Sequence, residues 1–281
     1  MPGCPTTANG MTAPKGPQDF VRVLAPAMVQ AAAIASALEG RVPNVPKPDA
    51  QSAVKAALTI ADTAAQEALL VPLLADFRHV RLEAEEETHS ITLFAGTRPE
   101  ARIVIDPIDG TLNFYLGAGG PYAVMAGFAV DARYEAALVA LPREGWFFEA
   151  VRGAGAQRAR AGCAEVATPS RDGRTLYLSD SVPDAVARRL VARGFEVQRA
   201  CGGAVAVAPL VPGVRGGLRV GKLGTISTRG RIGLLIASEA GAEIETGSGE
   251  PFPVSIDEPA ETLVVASDAE IAWELRTALS A

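Results

Sequence analysis

The chain has 281 residues, of which 48% are hydrophobic and 21% charged, with a formal net charge of -6. That length can hold one large domain or two modest ones around a real core, and the composition is that of a folded globular chain. The acidic balance argues against a nucleic-acid partner, while three scattered cysteines and two histidines exclude a disulfide framework and a His/Cys zinc site, so any metal here should be a hard one held by oxygen.

Residues 1–16 are rich in Pro, Thr and Gly and read as a loose tail. They lack the apolar stretch of a secretory signal, which points to a cytoplasmic chain. From Phe20 to about Glu39 apolar residues recur at helical spacing. The Ala-rich run Val21–Leu38 contains Pro26 and Gln30 and is short for a membrane span, so a packed helix is expected and no membrane partner. Three prolines between Arg41 and Gln51 mark a surface loop. Ser52 to about Phe77 reads as a second helix, kinked or interrupted at Pro72. The stretch "HVRLEAEEETHS" then leads from a short strand into an acidic cluster, and "RIVI" reads as a buried strand that ends in "DPIDGT". From Tyr122 a run of strands follows, with turns near Asp131–Arg133 and Arg143–Gly145, which describes a meander. From about Ala161 strand and helix alternate through "TLYLSD", "DAVARRLVARG" and "FEVQRA", an α/β pattern. No linker-like segment marks a division, so the halves 17–155 and 156–281 are expected to pack as one unit.

Three sets of carboxylates stand out: Asp62 in "LTIAD", the run Glu83, Glu85, Glu86 and Glu87, and the pair Asp106 and Asp109. Singly they could be a solvated helix face, a charged strand end and a turn. In "DPIDGT", however, Asp106 leaves the end of a buried strand, Pro107 fixes the chain direction, and Gly110 permits a bend that brings Asp109 alongside. Two converging carboxylates without a basic neighbour repel each other, and a divalent cation removes that penalty. Oxygen-only donors suit Mg²⁺, which is commonly held by carboxylates together with substrate phosphate. The residues after Gly110 read as a helix or turn start whose free amides could hold a phosphate.

"EEET", "IVIDPIDGTLNF" and "SEAGAEI", with "LTIAD" and "FFEAVRGAGA", resemble the landmarks of the inositol monophosphatase family of Mg²⁺-dependent, lithium-sensitive phosphomonoesterases. The likeness runs from about Phe20 to the C-terminus. It implies a mixed α/β (α+β) fold, a layered α-β-α-β-α sandwich. It implies that Asp106 bridges metals, with the Ile108 carbonyl and Glu85 (or, in the other register, Glu86) completing a first site and Asp109 belonging to a second. Gly110 and Thr111 would present amides to the phosphate, Thr111 would help hold the attacking water, and Asp62 would bind metal-linked water. The implied cofactor is one or two Mg²⁺ ions, or Mn²⁺. The implied partners are a small phosphorylated substrate and a second copy of the chain, as a homodimer.

The pattern breaks in the C-terminal half. The family carries a further metal-binding Asp after a Trp, ten residues before the Glu of "Glu-Ala-Gly"; counting back from Glu239 lands on Arg229. From Cys201 through Ser238 there is no Asp or Glu, whereas Arg215, Arg219, Lys222, Arg229 and Arg231 fall there. Gly203 and Val207 stand where the family has Ser and Asp, and Gln51 falls where a loop Lys is expected, a place that Lys47 or Lys55 could fill by reaching inward. Two placements of Arg229 follow: it takes the second cation's place, pairing with Asp109 and the substrate phosphate, or it faces solvent in a drifted loop. The basic segment hints at a substrate with more than one anionic group. Two functions follow: a phosphomonoesterase acting on a small phosphorylated polyol, sugar or nucleotide, or a weak or inactive relative that binds a phosphorylated ligand or a partner protein.

Overall fold

Helix α1 (Pro17–Leu38) starts with Pro17 in its first turn, and Asp19 reaches back to accept the Gly16 N–H at 3.3 Å, which closes the helix start. Its buried residues Phe20, Leu24, Ala27, Met28, Ala31 and Ala35 form one stripe. They pack on α2 (Ile60–Phe77), where Ala65, Leu69, Leu70, Leu73 and Phe77 are buried. The helix runs through Pro72 without a break, because buried leucines on both sides hold it against the loss of one backbone donor. This is a computed structural model, and it describes residues 15–42, 60–116, 119–221 and 224–280. The tail up to Pro14, the proline loop beyond Val42 and the expected helix start at Ser52 lie outside the described residues, as do Lys47, Gln51 and Lys55.

Strands β1 (Val80–Glu83), β2 (Arg98–Asp109), β3 (Ala123–Val130), β4 (Arg133–Leu141), β5 (Trp146–Val151), β6 (Ala156–Arg160) and β7 (Cys163–Val166) form one sheet in that spatial order. β1 pairs with β2 in parallel and every later neighbour is antiparallel, so the expected meander is present. The sheet runs through the division placed at 155/156, since β6 and β7 extend it to Val166. Both faces are covered. Ile103 and Ile105, with Leu138 and Ala140, face the α1–α2 pair. Val104, with Val139 and Leu141, faces the opposite side. Double burial explains why "RIVI" and "AALVAL" are continuous apolar runs rather than alternating ones.

The second sheet has the order β11-β12-β10-β8-β9, from Glu243–Glu245, Thr262–Ala266, Val214–Val220, Thr175–Leu178 and Glu196–Arg199. Short helices α5 (Gly202–Ala206) and α6 (Ile232–Glu239) fill the space between the sheets. Val205, Ile232 and Leu235 pack toward the first sheet, while Ala206, Leu234 and Ala237 meet Leu263 and Val265 of the second. On the far side α4 (Asp184–Ala192) and α7 (Ala269–Ser280) bury Leu190, Ile271 and Leu275 against Leu176, Leu218 and Val264. The layers are therefore α-β-α-β-α. Glu239, at the end of α6, accepts the N–H groups of Gly153 and Gly155 at 2.9 and 3.0 Å. That contact ties the middle layer to the turn between β5 and β6. Among the described residues α1 is the one helix long and apolar enough to cross a membrane, and here its buried stripe packs on α2 and the first sheet.

Candidate active site

A cleft of about 440 Å³ opens where the ends of β2 and β10 meet the start of α5. Its floor is built by the break in β2. Asp106 still pairs with Met125 and Asp109 with Ala123, but the register shifts between them. Pro107 has no N–H for the ladder, so the chain bulges there. The bulge buries the Ile108 side chain in the core, while Asp106, Ile108 and Asp109 all line the cleft. Gly110 turns the chain at φ +89°, and a Cβ on it would lie 2.8 Å from the Cβ of Cys201. Only glycine fits, in conformation and in space. Helix α3 (Thr111–Leu116) follows at once. Arg143 latches the chain beyond it, donating to the carbonyls of Gly119 (2.8 Å), Gly120 (2.6 Å) and Asn113 (3.3 Å) while Glu39 accepts its Nε at 2.9 Å.

Asp106 is buried at 5% exposure, and its Oδ1 has no hydrogen-bond partner. Burial pushes its carboxyl well above the usual range, the neighbouring Glu85 and Asp109 carboxylates push it further, and Arg229 partly opposes them. Asp109 is held by the backbone N–H of Gly203, donated to its Oδ2 at 2.6 Å. The Thr111 hydroxyl lies 2.9 Å from the Ile108 carbonyl and 3.3 Å from Asp62 Oδ1, so its single proton serves one of the two. Asp62 itself is buried, in the first turn of α2.

Of the two candidate glutamates, Glu85 lines the cleft. Glu86 is buried, and its backbone is gripped by Gln66, which accepts its N–H at 2.9 Å and donates to its carbonyl at 2.6 Å. That grip fixes the acidic cluster so that the preceding residue faces the cleft. Gln66 carries no chemistry of its own and was invisible as a site residue; a polar side chain on a buried helix face was the one available signal.

Arg229 does reach the carboxylates, but not the expected one. Its Nε lies 3.5 Å from Asp106 Oδ2 and its Nη2 3.9 Å from Glu85 Oε1, and it makes no ion pair with Asp109, which is taken by Gly203. The reason is the turn that carries it. Tyr134 donates its hydroxyl to the Thr228 carbonyl at 3.0 Å, and the buried Arg231 donates to the carbonyls of Ile226, Ser255 and Glu258. Those contacts aim Arg229 across the cleft toward β2. Burial works against its charge, but Asp106, then Glu85 and Asp109, outweigh that and hold it above its ordinary value.

The oxygen donors present fit a hard cation. Among the described residues no three His, Cys, Asp or Glu side chains form a metal-binding group by themselves. What they offer is the unpartnered Oδ1 of buried Asp106, the Glu85 carboxylate and the Ile108 carbonyl. Such a set leaves positions for water and substrate oxygen, the arrangement Mg²⁺ favours. Arg229 already supplies positive charge on the other side of Asp106.

A sequence model of the inositol monophosphatase family matches residues 20–203. The match stops at the start of the segment that lacks acidic residues. No curated protein matches the chain. The fold continues past residue 203 in known structures. The Thermotoga maritima IMPase is 19% identical, with a TM-score of 0.71 over 93% of this chain and 98% of that one. The extragenic suppressor protein SuhB of Bartonella henselae is 17% identical, with a TM-score of 0.72 over the same shares. An IMPase/NADP phosphatase solved with NADP and Ca²⁺ is 15% identical, with a TM-score of 0.68 over 94% of this chain and 97% of that one. The chain belongs to the inositol monophosphatase family, a family of phosphatases.

Proposed function

We propose that the chain is a Mg²⁺- or Mn²⁺-dependent phosphomonoesterase for a small phosphorylated polyol, sugar or nucleotide, working with one cation and Arg229. The observation that carries this is the buried, unpartnered Oδ1 of Asp106 with Glu85 and Asp109 around it. A buried carboxylate cluster that one guanidinium only partly offsets is costly, and hydrolysis of a phosphate ester is what the family's version of this cluster performs. Asp106, Glu85 and the Ile108 carbonyl would hold the cation, which when bound neutralises the cluster and activates water at neutral pH. The amides of Gly110 and Thr111 would face the phosphate. The Thr111 hydroxyl, poised between the Ile108 carbonyl and Asp62, would orient a water and pass its proton toward Asp62. Arg229 would place a planar donor fork on phosphate oxygens as negative charge builds there.

A second reading has one observation in its favour. Arg229 rests on Asp106 and Glu85, the carboxylates a cation needs. A guanidinium cannot lower the pKa of a water, so a chain that keeps Arg229 there would bind phosphorylated ligands without turning them over. Phosphate release from a panel of phosphomonoesters in Mg²⁺ or Mn²⁺, run beside Asp106→Asn, separates the two. Turnover at least a hundredfold above the variant on one substrate is the expected result, and none above it on any substrate would favour the binding role.

A further inference from the structure

Arg219 lines the cleft and has no hydrogen-bond or ion-pair partner among the described residues. It rises from β10, where it pairs with Leu263, and its guanidinium lies between Gly202 and Gly230. A Cβ on Gly202 would sit 1.8 Å from its Nη1, and one on Gly230 would sit 2.4 Å from the same atom. Glycine at both positions is therefore what gives the side chain its channel. Nη1 is buried and has no hydrogen-bond acceptor, and Arg219 makes no ion pair among the described residues. Asp180 lines the same cleft but does not neutralise it. A buried guanidinium N–H without an acceptor is expensive, and Arg219, half-buried and lining a ligand-sized cleft, can take an acceptor brought from outside.

Its location says which part of a ligand would arrive there. Gly202 precedes Gly203, whose N–H pins Asp109, and Gly230 follows Arg229, which reaches Asp106. The guanidinium thus stands one residue away from each of the two contacts that organise the proposed reaction centre. Asp109 is held by Gly203 and Asp106 by Arg229, and Arg219 makes no ion pair with either. With a net charge of -6, the chain as a whole does not attract a second anion, so any preference for one must be local.

We infer that Arg219 receives a second anionic group of the substrate, so that the substrate class is a phosphomonoester carrying a further phosphate or carboxylate. This rests on the phosphatase reading, which supplies the position of the first phosphate. The planar fork of Arg matches either anion through paired N–H donors, and such charge-assisted bonds discriminate strongly against a neutral replacement. Ser227, which lines the same cleft and accepts the Gly230 N–H at 3.2 Å, keeps its own hydroxyl proton for such a group.

The test uses non-hydrolysable ligands with the whole chain in Mg²⁺. Alkane bisphosphonates of two to four carbons are compared by calorimetry with the matching hydroxyalkylphosphonates and carboxyalkylphosphonates. The wild-type chain is expected to bind one of the dianionic series roughly tenfold or more tightly than its hydroxyl counterpart. Which series gains tells phosphate from carboxylate. Arg219→Met, which keeps the bulk in the channel, is expected to shrink that ratio to about twofold, and Arg219→Lys to keep part of it. Equal affinities for all three series in the wild-type chain would overturn the inference without any variant, and an unchanged ratio in Arg219→Met would do the same. Phosphate release from hydroxyalkyl phosphates monitors the underlying reading separately. If they are hydrolysed and no second-anion preference exists, only the role of Arg219 falls; if neither binding nor hydrolysis is seen, both fall.

Discussion

Arg229 is the residue on which the chemistry turns. It compensates a buried carboxylate that would otherwise need a cation, at the cost of competing with that cation. Replacing it with Gln leaves Asp106 buried beside Glu85 and Asp109 with no positive neighbour. In chelator, urea unfolding of Arg229→Gln should show a loss of roughly 1–3 kcal/mol, the lower end reflecting the guanidinium's partial exposure. Added Mg²⁺ should restore more stability to the variant than to the parent chain. Equal stability of the two proteins in chelator would make Arg229 a bystander. Gly203 makes the complementary point by being small. A Cβ there would lie 2.3 Å from Met125 Sδ and 2.9 Å from Ala123 Cβ, so the Ser that the family pattern calls for does not fit. Gly203→Ser should destabilise the fold by about 1–3 kcal/mol, read from its urea midpoint, and loosen the N–H that holds Asp109. Met125, one strand away, has already filled the space.

Most of the elements could be read from periodicity, because α1, α2 and the meander bury regular stripes. The site was legible where one short segment does several jobs: in "DPIDGT" the strand end, the bulge, the glycine turn and the helix start are contiguous. What escaped depends on contacts between distant segments. Gln66 grips Glu86, Tyr134 holds Thr228, and Arg231 sets the turn that sends Arg229 to Asp106 instead of Asp109. No local pattern encodes such pairings. The division at 155/156 cuts a sheet that β6 and β7 continue, because the sequence of a short strand does not announce which sheet it joins. The turn between β4 and β5 holds a further consequence. Burial raises Glu144 from its ordinary 4.5 to about 7, only partly opposed by its own backbone N–H and by Arg143, and its Oε2 has no partner. Between those values the folded chain keeps a proton that the unfolded chain has released. Stability from this group is thus full below pH 4.5 and is lost as pH rises through about 7. Glu144→Gln should flatten the stability profile over that window and gain on the order of 1 kcal/mol at pH 8, measured by urea unfolding across pH. A parallel profile for the two proteins would contradict the assignment.

At the scale of the molecule, the five layers bring a floor that matches the family and a rewritten wall to one cleft. The floor comes from the first sheet, inside the stretch that matches the family. The wall comes from β10 and the turn after it, past residue 203, where every charged side chain up to Ser238 is basic. Glu239, at the end of the helix that follows that turn, ties the wall to the β5–β6 turn of the first sheet. On the proposed reading, charge that a second ion would supply on the floor is supplied by the wall instead. Counting the ions decides whether that is so. Mn²⁺ titrated into the chelated chain and followed by paramagnetic resonance should show one tight site per chain, lost in Asp106→Asn, with a second appearing in Arg229→Asp. Two tight Mn²⁺ ions in the unmodified chain, both lost in Asp106→Asn, would contradict it.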